Sequence, residues 1–163
     1  MSFSPELLQQ AKDVLAAARA KGLKIATAES CTGGLIAGLL TEIAGSSDVF
    51  ERGFVTYSNQ AKEEMLGVPA AALRQHGAVS DVVARAMAEG AIRNSTAQLA
   101  IAVTGIAGPG GGSDEKPVGL VHIAAARAGT ATATQACRFG DIGREQVRLK
   151  TVEAALALLE TLL

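Results

Sequence analysis

At 163 residues the chain is long enough for one domain with a real hydrophobic core. It is 48% hydrophobic but 3% aromatic with no tryptophan, so Ala, Leu, Val and Ile must fill the interior. The 15 basic and 16 acidic residues form no block of either sign. That balance argues against a nucleic-acid-binding stripe and leaves room for a small anionic ligand held by one or two cations.

The first predicted helix runs from Ser4 to Lys21, with Ser4 as N-cap, Pro5 at its first position and Gly22 as its stop. Leu23 to Ala28 reads as a short apolar strand, followed by a small-residue helix from Gly33 to Ile43. Phe50 to Tyr57 reads as a second strand. Asn59 to Leu66 follows as a helix stopped by Gly67, and Pro69 to Gln75 adds a turn or two. Ser80 caps a helix in which Val82, Val83, Ala86, Met87 and Ala91 recur at helical spacing. Leu99 to Thr104 is an apolar strand that runs into a glycine-rich stretch ending at Ser113. Val118 to Ala126 and Thr130 to Phe139 form a hairpin, and Gly143 to Leu163 closes the chain as an amphipathic helix. Apolar strands separated by helices predict a three-layer α/β/α sandwich around a mixed, mostly parallel sheet of about five strands.

Cys31 and Cys137 lie in no CxxC pair, and no Cys/His cluster has zinc spacing, so no metal is expected. A reduced, cytoplasmic setting is expected from so few cysteines. Ser4-Pro5-Glu6 opens a polar helix rather than a signal peptide, and no apolar run reaches the ~18 residues of a membrane span. The Ala/Leu-rich final helix offers a face for a homodimer.

Chemistry concentrates where predicted strands end, which is where open α/β sheets collect ligands. Three segments qualify: Glu29-Ser30-Cys31-Thr32-Gly33-Gly34, Tyr57-Ser58-Asn59-Gln60-Ala61-Lys62, and Thr104 to Ser113. They meet in one cleft if their strands are parallel neighbours. Ser30 and Cys31 precede helical N–H groups that can stabilise an oxyanion, although Ser and Thr equally serve as plain caps. Lys62 falls on the first turn of a helix, where the macrodipole and burial both favour the neutral amine. The competing reading is a solvated surface lysine. No histidine lies in these segments, since His76 sits near a helix end and His122 within a strand, so Lys62 is the available base. Arg144 and Arg148, one turn apart, can clamp a phosphate or carboxylate, or simply face solvent.

Ala26-Thr27-Ala28-Glu29-Ser30-Cys31-Thr32-Gly33-Gly34, Tyr57-Ser58-Asn59-Gln60-Ala61-Lys62, Gly77-Ala78-Val79-Ser80, Thr104-Gly105-Ile106-Ala107-Gly108-Pro109 and Lys116-Pro117-Val118-Gly119 together resemble the CinA C-terminal family, in order along nearly the whole chain. The resemblance implies one α/β/α amidohydrolase domain over 1–163, without the pyrophosphatase-like domain of the family's two-domain members. It also implies hydrolysis of the carboxamide of nicotinamide mononucleotide to the acid and ammonia, with no cofactor. Carried over by position, Ser30 is the nucleophile, Lys62 the base and Tyr57 the tyrosine beside them. Thr104 and Gly105 then become ligand-contacting positions and Arg144 a substrate-binding arginine. Glu29, Thr32, Gly33 and Gly34 are expected to complete the substrate site around the serine, with the N–H groups of Thr32 to Gly34 meeting the oxyanion. The family's Gly-Asp-Arg reads here as Gly140-Asp141-Ile142-Gly143-Arg144, so the turn before Arg144 differs. Two rivals are a Cys31 nucleophile, favoured by a helix N-terminus, and a nucleotide-binding module without catalysis.

Overall fold

Helix α1 spans Pro5–Ala20 in the computed structural model, which describes residues 1–163. Ser4 Oγ accepts the Leu7 N–H at 3.2 Å, and Pro5 takes a position whose N–H the helix does not need. The remaining elements are β1 (Ile25–Glu29), α2 (Leu35–Glu42), β2 (Phe50–Val55), α3 (Asn59–Leu66), α4 (Ala70–His76) and α5 (Asp81–Arg93). They continue through β3 (Leu99–Gly105), β4 (Leu120–Arg127), β5 (Ala133–Arg138) and α6 (Arg144–Glu160).

The five strands form one sheet in the order β2-β1-β3-β4-β5. β1 pairs in parallel with both β2 and β3, while β4 pairs antiparallel with β3 and β5. Four strands therefore share one direction and β4 alone runs against them. The sheet is covered on both faces, which is why Leu99 to Val103 of β3 read as an unbroken apolar run. Ile25, Ile101 and Val103 face a core of Leu and Ile supplied by α1, α2 and α6. Ala26, Ala28, Ala100 and Ala102 face α5 and the end of α3, where Leu66, Val83 and Met87 pack. Alternating strand residues thus build two cores of different side-chain size.

Boundaries differ from the sequence expectation for local reasons. β2 ends at Val55: Thr56 N–H makes one more bond, to the Glu29 carbonyl (2.8 Å), and the chain then turns at Ser58, the cap of α3. β5 starts only at Ala133, since Thr130 folds back and donates both N–H and Oγ1 to the Arg127 carbonyl (3.0 Å each). Val147, Val152, Leu156 and Leu159 of α6 are buried in the core it shares with α1 and the sheet. No helix is long and apolar enough to cross a membrane.

Candidate active site

The order β2-β1-β3 places three parallel strand ends side by side, and each delivers one of the motif segments. Beyond β1, Ser30 donates its N–H to the Val103 carbonyl (3.1 Å), and its own carbonyl accepts the Gly33 N–H (3.0 Å). Ser30–Gly33 is therefore a tight turn. Gly33 (φ +59°) and Gly34 (φ +103°) occupy left-handed conformations, so α2 starts at Leu35 and not at Gly33. The first helical N–H groups do not face the serine. The Glu29 carboxylate, 1% exposed, accepts Ile36 N–H (2.9 Å), Ala37 N–H (3.0 Å) and Thr32 Oγ1–H (2.6 Å). A buried carboxylate thereby caps α2. The N–H groups of Cys31, Thr32 and Gly34 have no protein acceptor.

Beyond β2, Ser58 caps α3 through Ala61 N–H (3.0 Å), which carries Lys62 back toward β1. The Lys62 side chain is 1% exposed. Its Nζ donates to the carbonyls of Thr56 (2.9 Å) and Tyr57 (3.4 Å) and lies 3.1 Å from Ser30 Oγ. All three partners are neutral oxygens, and burial pulls the amine below its ordinary 10.5. With two of its contacts fixed on carbonyls, the third position of the amine faces the serine hydroxyl. Cys31 is the opposite case. Burial pushes its thiol up to about 12, against the lowered value that a reactive thiol requires.

Ser30, Lys62, Tyr57, Thr104, Gly105 and Arg144 line one cleft of about 290 Å³. Thr104 Oγ1 donates to the Ala78 carbonyl (2.8 Å), tying the end of β3 to the Gly77–Ser80 segment. At the rim, Arg144 donates to the Gly108 carbonyl (2.8 Å) and to the Tyr57 hydroxyl (3.2 Å). A larger groove, about 560 Å³ between α1 and α6, carries none of the motif residues. No cluster of three or more His, Cys, Asp or Glu side chains is arranged to hold a metal ion.

Residues 8–163 match the family model described as the CinA C-terminal domain. The chain belongs to the CinA family. It is 50% identical to the nicotinamide-nucleotide amidohydrolase PncC of Escherichia coli K12, over 94% of this chain and 93% of that protein. A putative competence-damage inducible protein of Caldicellulosiruptor bescii is 52% identical over 85% of this chain, which spans 33% of that longer relative. Among solved structures, the competence/damage inducible protein CihA of Agrobacterium tumefaciens superposes with a TM-score of 0.96 at 54% identity, covering 99% of each chain.

Within this CinA domain the three strand-end segments meet, bringing Ser30, Tyr57, Lys62, Thr104 and Gly105 to one cleft, and Arg144 of α6 also lines it. Four expected substrate positions lie elsewhere. The Glu29 and Thr32 side chains are buried and hold one another, while Gly33 and Gly34 shape the start of α2 rather than the cleft wall. Arg148 is not free to clamp an anion, because its Nε and Nη2 donate to the carbonyls of Cys31 (3.2 Å) and Thr32 (3.0 Å). The Tyr57 hydroxyl, on a 63% exposed residue, meets Arg144 and not Lys62, which takes the Tyr57 carbonyl. Sequence reasoning passed over Asn59 and Val79, which also line the cleft. An apolar Val in a short loop carries no chemical signature, whereas Asn59 stood in plain view inside a quoted motif.

Proposed function

We propose that this protein is a serine amidohydrolase that converts nicotinamide mononucleotide to nicotinic acid mononucleotide and ammonia, a cytoplasmic step of pyridine-nucleotide recycling carried by the single domain 1–163. The observation that carries the reading is the Lys62 amine, buried without a counter-ion 3.1 Å from Ser30 Oγ. Likeness to PncC over nearly the full length of both chains supports the substrate class.

In this mechanism neutral Lys62 takes the hydroxyl proton as Ser30 Oγ bonds to the carboxamide carbon. The resulting oxyanion is met by unpaired N–H groups of the nucleophile turn, foremost that of Cys31, the residue after the nucleophile that also lines the cleft. Protonated Lys62 delivers its proton to the amide nitrogen, the C–N bond breaks and ammonia leaves an acyl-serine ester. Lys62, neutral again, accepts a proton from the water that attacks this ester. The carboxylate product departs and Ser30 regains its hydrogen. Tyr57 contributes through its carbonyl, which holds Lys62, and its hydroxyl orients Arg144 for the nucleotide phosphate at the glycine-rich rim.

Ammonia release from nicotinamide mononucleotide tests the reading. Wild type is active, Ser30→Ala is folded and inactive, and Cys31→Ala turns over at the wild-type order. Full activity of Ser30→Ala removes the mechanism, and loss in Cys31→Ala restores the thiol. Thermal stabilisation by the nucleotide without ammonia makes the protein a binder.

A further inference from the structure

Arg148 has a placement that substrate binding does not explain. From the second turn of α6, one edge of its guanidinium spans two consecutive carbonyls of the nucleophile turn, Nε to Cys31 (3.2 Å) and Nη2 to Thr32 (3.0 Å). Its fork of parallel donors suits that task in a way a lysine cannot match. Arg148 does not line the cleft, and no carboxylate pairs with it.

We propose that Arg148 is a positioning residue for the reaction, holding the Ser30–Gly33 turn in the one state that keeps Ser30 Oγ and the Cys31 N–H in place. The inference rests on Ser30 being the nucleophile. Each peptide unit is rigid and trans, so fixing a carbonyl also fixes the N–H across the same bond. The Cys31–Thr32 peptide is the central one of the turn, the unit whose flip interconverts turn types. Arg148 holds its oxygen toward α6. A flip would also force Thr32 to positive φ, which no residue except glycine adopts here and which a β-branched residue resists. The two restraints act together. The bond from Gly33 N–H to the Ser30 carbonyl (3.0 Å) closes the turn, and that carbonyl shares its peptide plane with the unpaired Cys31 N–H. Loosening the turn therefore misaligns nucleophile and oxyanion donor together, while Lys62, anchored on Thr56 and Tyr57, stays put.

The test compares wild type, Arg148→Ala and Arg148→Lys in ammonia release from nicotinamide mononucleotide, with thermal unfolding run alongside. Arg148→Ala is expected to lose about 10²-fold in kcat, the scale of a small misplacement of reacting groups. Its KM and the acid limb of its pH profile stay near wild type, and free guanidinium at non-denaturing concentration restores part of kcat. Arg148→Lys, which can reach one carbonyl but not bridge both, is intermediate. A folded Arg148→Ala with wild-type kcat overturns the proposal, as does a loss confined to KM, which makes Arg148 a substrate contact. If Arg148→Ala does not fold, Arg148→Lys decides: wild-type kcat there overturns the proposal and a lowered kcat at unchanged KM supports it. Inactive wild type, or full activity in Ser30→Ala, sinks the underlying reading and this inference with it. Loss in Arg148→Ala alone leaves that reading standing.

Discussion

Replacing Lys62 with Met gives the sharpest measurement, because it keeps the volume of the side chain and removes its proton. The native amine is 1% exposed and lies below its ordinary 10.5 because of burial. In the unfolded chain it returns to the ordinary value, so between the native pKa and 10.5 the unfolded state carries one extra proton. Wild-type stability then rises with pH across that window at up to about 1.4 kcal/mol per pH unit. Below the window both states are protonated and the full penalty applies, while above it neither is and the penalty is gone. Lys62→Met has no such dependence. It does leave the Thr56 and Tyr57 carbonyls without their donor, at about 1 kcal/mol each, but that offset does not change with pH. Urea unfolding of both proteins, from neutral pH to the ordinary lysine range, should show the stability difference shifting toward wild type as pH rises and then levelling off. Groups common to the two proteins cancel. Parallel curves would mean the amine is not shifted in the fold, and Ser30 would then have no neutral base at neutral pH. The acid limb of kcat/KM in wild type should fall in the same window, below 10.5.

Glu29→Gln removes the charge that caps α2 and should cost about 1–2 kcal/mol in urea unfolding. Gly90→Ala should destabilise by about 1–3 kcal/mol, because the added carbon would collide with the Leu66 carbonyl oxygen where α5 crosses α3. Since α3 carries Lys62, the same change should lower kcat. Tyr57→Phe loses only the contact with Arg144, so it should raise KM and leave the acid limb of the pH profile in place.

Much of the fold could be read from residues whose effect is local. Ser4 and Pro5 start α1, Gly67 ends α3, and the apolar run Leu99 to Val103 announces a strand buried on both faces. What escaped was set by partners distant in sequence or by the backbone. Glu29 looks like a cleft carboxylate until the left-handed pair Gly33 and Gly34 sets α2 back and turns its first N–H groups onto that side chain. Arg144 and Arg148 share a helix face, and the sequence cannot distinguish the one at the rim from the one on the nucleophile turn. For Lys62 the expected direction agrees with the fold, but burial is its main cause, not the macrodipole.

The strand order explains why the chemistry sits where it does. Ser30, Lys62 and Thr104 are spread over 75 residues of chain, and only the adjacency of β2, β1 and β3 brings their segments to one edge. The same adjacency provides the environment the amine needs. The Thr56 carbonyl that fixes Lys62 belongs to the residue whose N–H extends the β1–β2 ladder onto Glu29, and the Ser30 N–H extends the β1–β3 ladder onto Val103. Ser30 and the carbonyl that holds Lys62 are therefore both set by sheet hydrogen bonds continued one residue past the strand ends. A rigid sheet thus holds the buried Lys62 amine against the Ser30 hydroxyl with no carboxylate among its partners, and burial moves the amine in the direction that the proposed base requires.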